Sequence, residues 1–189
     1  MIGGRVLILA AIDPRIKSVV SIVPVVDGFN NLHRAHVERR FVDLQAAILQ
    51  VRRYRVSGKE GKIAMASLTP YGELSVWSFP GVNEDFMQVK ESEATLHKHW
   101  STMESAALLL NNSISPFLSR AINTNVMMIV AECDNITAWD LEVQAFNQIT
   151  SQAKQLDIPS GVSHMSLYSD RADTNIAAVR AEEWFSKTL

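Results

Sequence analysis

Apolar residues fall into two arrangements along this chain of 189 residues. Short, nearly continuous apolar runs lie toward both ends, and a stripe recurring every three or four residues lies between them. Residues 4–11 read as a short apolar helix, stopped at Asp13-Pro14 because the residue before a proline is pushed out of the helical region. Residues 18–26 (SVVSIVPVV) are β-branched and almost continuously apolar, the pattern of a strand buried on both faces of a parallel sheet, with Pro24 near its end. Residues 27–31 carry turn chemistry. From His33 to about Arg55, the positions Val37, Phe41, Leu44, Ile48 and Val51 mark one stripe of an amphipathic helix. Residues 57–84 hold Gly58, Gly61, Gly72, Gly81, Pro70 and Pro80, and read as a long irregular segment of the kind that forms lids and binding loops. Residues 91–111 are predicted helical, and 113–122 form a short helix broken at Pro116. Residues 126–131 (VMMIVA) are a second buried strand. A helix is predicted over 139–156, with Leu141, Ala145, Phe146 and Ile149 on one side. A short strand or strand end follows at 157–161, and a closing helix at 171–187.

Strand and helix alternating at both ends give the α/β class with a parallel sheet. The length suffices for one domain with a core, against a prior of about 150 residues per domain. With 18 Lys+Arg, 20 Asp+Glu and a net charge of -2, the chain lacks the basic surface of a general nucleic-acid binder. Cys133 is the one cysteine, so no intrachain disulfide is expected. The longest apolar runs fall far short of the ~20 residues that span a bilayer. The N-terminal run meets Asp13-Pro14-Arg15 with no small-residue cleavage site, so no signal peptide is read there. The expectation is a soluble cytoplasmic protein with no membrane or nucleic-acid partner. The C-terminal Ser-Lys-Thr-Leu differs from the peroxisomal Ser-Lys-Leu signal by Thr188, which makes a peroxisomal location the lesser alternative.

Candidate chemistry sits where open parallel sheets collect it, just past the carboxyl ends of strands. Asp134 follows the run 126–131, and His164 follows the weak strand in the segment GVSHM. On neighbouring loops the two make an Asp–His pair, in which the carboxylate holds the ring tautomer and the other nitrogen is a general base. The plainer alternative makes Asp134 the cap of the following turn and His164 a loop histidine with a backbone partner. A nucleophile is missing. The start Met1-Ile2-Gly3-Gly4 has the tail of a strand-to-helix elbow, and in the pattern G-x-S-x-G the serine stands two residues before a glycine. That puts Met1 in its place, and a thioether has no proton to lose and cannot be usefully acylated.

The runs Ile2-Gly3-Gly4-Arg5-Val6-Leu7, Asp13-Pro14-Arg15-Ile16 and VSIVPVVD (residues 20–27) resemble the region after the nucleophile in α/β-hydrolases. The subgroup most resembled is that of fungal polyketide transferases and dienelactone-hydrolase-like enzymes. Residues 125–137 resemble the strand and loop carrying that family's acid, which places it at Asp134. GVSHMSLY (161–168) resembles its histidine loop, which places the base at His164. The resemblance implies a partial α/β-hydrolase fold: a few-stranded parallel sheet with flanking helices and a helical cap insertion. It divides the chain into a post-nucleophile helix and core strand (1–28), the cap (29–114) and the C-terminal part of the core (115–189). It also implies a small acyl ester or thioester, carrier-bound or free, as substrate, and no cofactor or metal.

The family's first half, with its early strands, one oxyanion-hole loop and the nucleophile, has no counterpart here; of the oxyanion hole only the Ile2 amide remains. Little or no hydrolase activity is therefore expected of this chain alone. The strand at 18–26 should have one unpaired edge, open to aggregation or to pairing with another copy.

Other candidates read more plainly. His33 with His36, and His97 with His99, lack a carboxylate or cysteine at ligand spacing and read as polar faces of cap helices rather than a metal site. Arg34, Arg39, Arg40, Arg52, Arg53 and Arg55 make a basic helix, a solvated face or a docking place for an anionic carrier. Tyr71, Trp77, Phe79 and Trp100 are either an acyl pocket or the small core of the cap. Cys133 reads as a small buried filler. Three functions stay open: part of an acyl transferase or (thio)esterase of polyketide-type secondary metabolism, a non-catalytic binding or scaffold protein, and a serine-free acid–base enzyme.

Overall fold

A computed structural model describes residues 2–55, 58, 60–69, 71–132 and 134–189, apart from the side chains of Ile2 and Arg55. Along the chain run α1 (Ile2–Ile12), β1 (Ser18–Ile22), α2 (Gly28–Ala35), α3 (Glu38–Arg55), β2 (Lys62–Ala66), β3 (Ser75–Trp77), α4 (Pro80–Ser92), β4 (Trp100–Thr102) and α5 (Met103–Leu110). Then follow α6 (Ser115–Leu118), β5 (Asn125–Ile129), α7 (Trp139–Gln148), β6 (Lys154–Asp157), α8 (Ser166–Ser169) and α9 (Arg171–Thr188). Two compact units result, one of residues 1–27 with 113–189, the other of residues 28–112.

The first unit is built on a parallel sheet of order β1-β5-β6. Its centre is β5, whose continuous apolar run divides by the period of two between opposite faces. Val126, Met128 and Val130 pack with Leu7, Ala10, Leu118, Ala145 and Ile149. Met127, Ile129 and Ala131 pack with Val162, Ala177 and Trp184. A strand buried on both faces is what the unbroken apolar run predicts. Among the described residues β1 pairs with β5 alone, so its other edge is free as expected. On α1, Leu9 and Ile12 are exposed at 45% and 57%. Past the strand Val23 takes a φ of 36°, while its amide donates to the Ile129 carbonyl at 2.9 Å. A β-branched residue held there costs about 1–3 kcal/mol.

The helix predicted over 139–156 is shorter than expected. It ends at Gln148, where Ile149 turns extended, and β6 begins at Lys154. The lysine ammonium donates to the Phe146 and Ile149 carbonyls at 3.0 and 2.7 Å, closing the helix end. Four residues reading KQLD are too short and too polar to announce an edge strand.

The unit of residues 28–112 departs further from its pattern. Its sheet, of order β3-β2-β4, is mixed: β2 runs parallel to β3 and antiparallel to β4. The segment 57–84, expected to be irregular, contains β2, β3 and the start of α4. Its glycines and prolines punctuate elements of three to five residues, too short to show a period. Residues 91–111, expected as one helix, hold the end of α4, then β4, then α5, which Thr102 caps by accepting from the Ser105 amide at 3.1 Å. The predicted helix at 33–55 is two, and α2 begins inside the expected turn. Gly28 is required there: a Cβ would stand 1.7 Å from the Leu109 carbonyl oxygen. Among the described residues no helix is long and apolar enough to cross a membrane.

Candidate active site

Two loops of the first unit carry the site. After β5, Asp134 opens a tight turn into α7. Its Oδ1 accepts from the Ile136 amide at 2.7 Å and the Thr137 amide at 3.1 Å, and its Oδ2 accepts from the Thr137 hydroxyl at 2.8 Å. The Trp139 amide donates to the Asp134 carbonyl at 3.0 Å. Closing the turn this tightly leaves Ala138 at φ 54° and ψ 84°, a conformation that costs about 1–3 kcal/mol without glycine. After β6, His164 sits in a turn fixed by two serines. The Ser163 amide donates to the Ser166 Oγ at 2.9 Å, and the Ser166 amide to the Ser163 Oγ at 3.1 Å.

The structure brings the two predicted residues together, with His164 Nδ1 2.7 Å from Asp134 Oδ2. The Asp134 side chain is fully buried, and that of His164 is 14% exposed. Burial alone would raise the Asp134 carboxyl, but the His164 hydrogen bond and charge, aided by Thr137, hold it below its usual value. The carboxylate is then an acceptor only, so the Nδ1 proton points to it, and in the neutral form of the ring Nε2 carries the lone pair. Nε2 makes no hydrogen bond among the described residues. A buried carboxylate orienting an imidazole with a free, partly exposed nitrogen is the arrangement of a general base. As in the plainer sequence alternative, Asp134 also caps the turn. The two roles coincide in one residue, one oxygen serving the backbone and the other the histidine.

Three neighbours escaped the sequence reading. Thr137 bridges the pair, its hydroxyl 3.3 Å from His164 Nδ1. Tyr168 lies with its ring centroid 5.6 Å from that of His164. Although much of that residue is exposed, local desolvation, then the charges of Asp134 and Glu142, raise its phenol, so it keeps its proton. Glu142 on α7 is 0% exposed. Its signal was present in the sequence: with Ala145 and Ile149 it makes an i, i+3, i+7 stripe, so an acid interrupts the buried face of the helix.

The remaining candidates are dispersed. Met1, which the sequence reading sets against the nucleophile, and Cys133 lie outside the described residues, as does the side chain of Arg55. Near the start, α1 rests on the end of β1 so closely that a Cβ on Gly3 would lie 2.5 Å from the Ile22 carbonyl oxygen. In the other unit, both ring nitrogens of His36 face carbonyl oxygens, of Leu32 at 2.8 Å and Ser75 at 2.9 Å, and His33 pairs with Glu38 at 3.0 Å. His97 and His99 stand beside Phe86, with Asn83 Nδ2 2.9 Å from His99 Nε2. No group of three metal-ligating side chains forms among the described residues. Trp77 is buried on β3, whereas Tyr71 is 77% exposed and Trp100 on β4 lies under the Lys62 ammonium, so these aromatics do not share one pocket. Arg40 bonds the Gly72 carbonyl and Asp43, while Arg39, Arg52 and Arg53 are exposed.

No protein-family model matches the sequence, and no curated protein does. Solved structures do. The α/β hydrolase GrgF from Penicillium sp. sh18 superposes with a TM-score of 0.74 at 16% identity, over 98% of this chain and 60% of its own. DcsB, solved in complex with its substrate analogue, gives a TM-score of 0.76 at 15% identity, over 99% of this chain and 62% of its own. A monoacylglycerol lipase from Paleococcus ferrophilus gives 0.64 at 14% identity, over 97% and 65%. The chain thus spans about three fifths of the length of GrgF and DcsB. At these identities the likeness is one of fold: the chain carries part of the α/β-hydrolase fold, a small parallel sheet with flanking helices.

Proposed function

We propose that, on this α/β-hydrolase frame, Asp134 and His164 are the acid and base of a serine acyl-transfer site acting on a small ester or thioester, in polyketide-type secondary metabolism. The observation that carries this reading is the 2.7 Å contact between a fully buried carboxylate and His164 Nδ1, which leaves Nε2 free. In the reaction, a serine at the elbow before Ile2 attacks the carbonyl carbon while His164 Nε2 takes its proton. The imidazolium, held by Asp134, returns that proton to the departing alcohol or thiol, leaving an acyl-serine. Water or an acceptor hydroxyl then repeats the sequence and releases the acyl group. The Ile2 amide supplies one oxyanion donor.

With Met1 in the serine's place, the 189-residue chain is expected to release no p-nitrophenol from p-nitrophenyl acetate above the buffer rate. A longer product carrying a G-x-S elbow ahead of Ile2 is expected to do so, with His164→Ala lowering its rate by roughly 10³-fold or more. Turnover by the 189-residue chain itself, abolished by His164→Ala, would instead establish a serine-free acid–base enzyme. In-frame stop codons throughout the genomic sequence ahead of Met1 would remove the longer product.

A second reading rests on the free edge of β1 and on the exposed Leu9 and Ile12 of α1: a non-catalytic scaffold that pairs with a second copy. A defined dimer in size-exclusion chromatography, broken by Ile12→Lys, supports it. A monomer at all concentrations ends it.

A further inference from the structure

Helix α3 buries one stripe, Phe41, Leu44 and Ile48, and leaves other apolar side chains turned outward. It packs on α5, and a groove of about 100 Å³ lies between residues of the two helices. The buried side chains Ile48, Met103 and Ala107 line that groove, so its floor is apolar. Leu108 of α5 stands at the rim, 62% exposed. On α3 the rim residue is Arg52, and Leu49, three residues before it on the same helix face, is 50% exposed. An apolar floor between two helices, with an exposed leucine on each, is a surface into which an amphipathic helix lays its anchors. The volume is on the scale of one aliphatic anchor.

Charge decides what kind of helix fits. The two acids of α3 are taken: Glu38 pairs with His33 at 3.0 Å, and Asp43 with Arg40 at 3.3 Å. Arg39, Arg52 and Arg53 are exposed, and none of them makes a hydrogen bond or ion pair among the described residues. Glu104 is the one acid that lines the groove, and it is already engaged. The uncompensated charge of α3 is therefore positive. A second copy would bring the same arginines and no unengaged carboxylate from its own groove, and like charges across an interface oppose pairing. A bilayer surface would gain little apolar area from these leucines.

We propose that the groove between α3 and α5 is a docking site for an acidic amphipathic helix of a partner protein. One apolar anchor of that helix sits over Ile48, Met103 and Ala107 with Leu108 beside it, and a carboxylate meets Arg52. The inference goes beyond the acid–base reading and does not rest on it, so esterase activity, present or absent, leaves it standing.

Two synthetic helical peptides serve as probes, with the same leucines at i, i+4 and i+7, flanked by glutamates in one and by lysines in the other. Each is titrated into the full chain labelled with ¹⁵N, and binding is read from the amide shifts. The glutamate peptide should give saturable shifts in α3 and α5 with a Kd of about 100 μM or tighter. The lysine peptide should bind about tenfold more weakly or worse. Arg52→Glu should reverse that preference, and Leu108→Ser should weaken the glutamate peptide about tenfold. Both side chains are exposed, so both variants should keep the wild-type melting temperature. Lys98→Glu, which changes an exposed cation outside the groove, should leave both affinities unaltered. The proposal is overturned by equal affinity for the two peptides, by shifts centred outside α3 and α5, or by no saturable shift below about 1 mM peptide. Concentration-dependent shifts of the same amides without peptide, with a dimer in sedimentation, would overturn it in favour of a second copy. Shifts with phosphatidylglycerol vesicles and none with either peptide would overturn it in favour of a membrane surface.

Discussion

Two sets of buried polar groups, His36 with Asn83 in one unit and Asp134 with Glu142 in the other, are used in different ways. In the unit of residues 28–112, His36 is buried with both ring nitrogens against backbone carbonyls, and Asn83 donates to the Ala66 carbonyl at 3.1 Å. These side chains supply the hydrogen bonds that a sheet of short strands leaves unmade. In the other unit, Asp134 spends one oxygen on the backbone and the other on His164, and Glu142 is buried with no bond at all. The first pattern satisfies the main chain, as buried polar groups in a structural core generally do. The second sets titratable groups against each other beside two strained residues, Val23 and Ala138, past the ends of β1 and β5. Perturbed acids and backbone strain gathered at one end of a sheet support the proposal of an acid–base site there.

The comparison predicts where the protein is brittle and where it improves on substitution. The largest effect is expected at Gly28, where the packing leaves no space. Gly28→Ala drives a Cβ into the Leu109 carbonyl and should lower unfolding stability by about 4 kcal/mol, or leave residues 28–112 unfolded to limited proteolysis. Stability near that of wild type in urea would show that α2 and α5 can part at low cost.

Glu142→Gln should act in the opposite direction. A carboxyl pushed up to about 9 in the folded chain, from 4.5 for a freely solvated glutamate, binds its proton more tightly folded than unfolded. Stability therefore falls as pH rises from about 4.5 toward about 9. Removing the group should add about 3 kcal/mol at pH 7. The gain should vanish near pH 4, and thermal denaturation of both forms across that range checks it. Asp134 has the reverse sign. Its lowered value stabilises above the unfolded carboxylate range, and that contribution is lost as pH falls through its folded value. Acid should therefore loosen this unit first, as ¹H–¹⁵N spectra of the two units recorded below pH 4 can show.

How much was legible in the sequence divides along the same line. β5 was visible because a strand covered on both faces needs an unbroken apolar run, and Asp134 and His164 were visible because function gathers past such strands. Their partner Thr137 carries no pattern: its role depends on a turn closed by long-range packing. Glu142 was legible in principle, as an acid inside an apolar helical stripe. In the other unit the helix at 33–55 showed its stripe, but β2, β3 and β4 have three to five residues each. Periods of two or of 3.6 cannot be separated over so few positions, and glycine-rich stretches between them resemble loops.

Two smaller tests refine the site. Thr137→Val removes the hydroxyl that Asp134 Oδ2 accepts and should cost about 1–2 kcal/mol in urea denaturation. Ser166→Ala removes one half of the paired serine caps around His164 and should cost about 1 kcal/mol, with faster exchange of the Ser163 amide. A Ser166→Ala effect larger than that of Thr137→Val would mean that the histidine turn, rather than the aspartate turn, sets the rigidity of the pair.

One contact couples those turns from outside the chemistry. The Glu132 carboxylate, just ahead of Asp134, accepts from the Gly161 amide at 2.8 Å and from the Ser160 hydroxyl at 3.1 Å, three and four residues ahead of His164. It ties the loop after β5 to the loop after β6 at a second point, so the turns that hold Asp134 and His164 are joined outside the 2.7 Å contact of the pair itself.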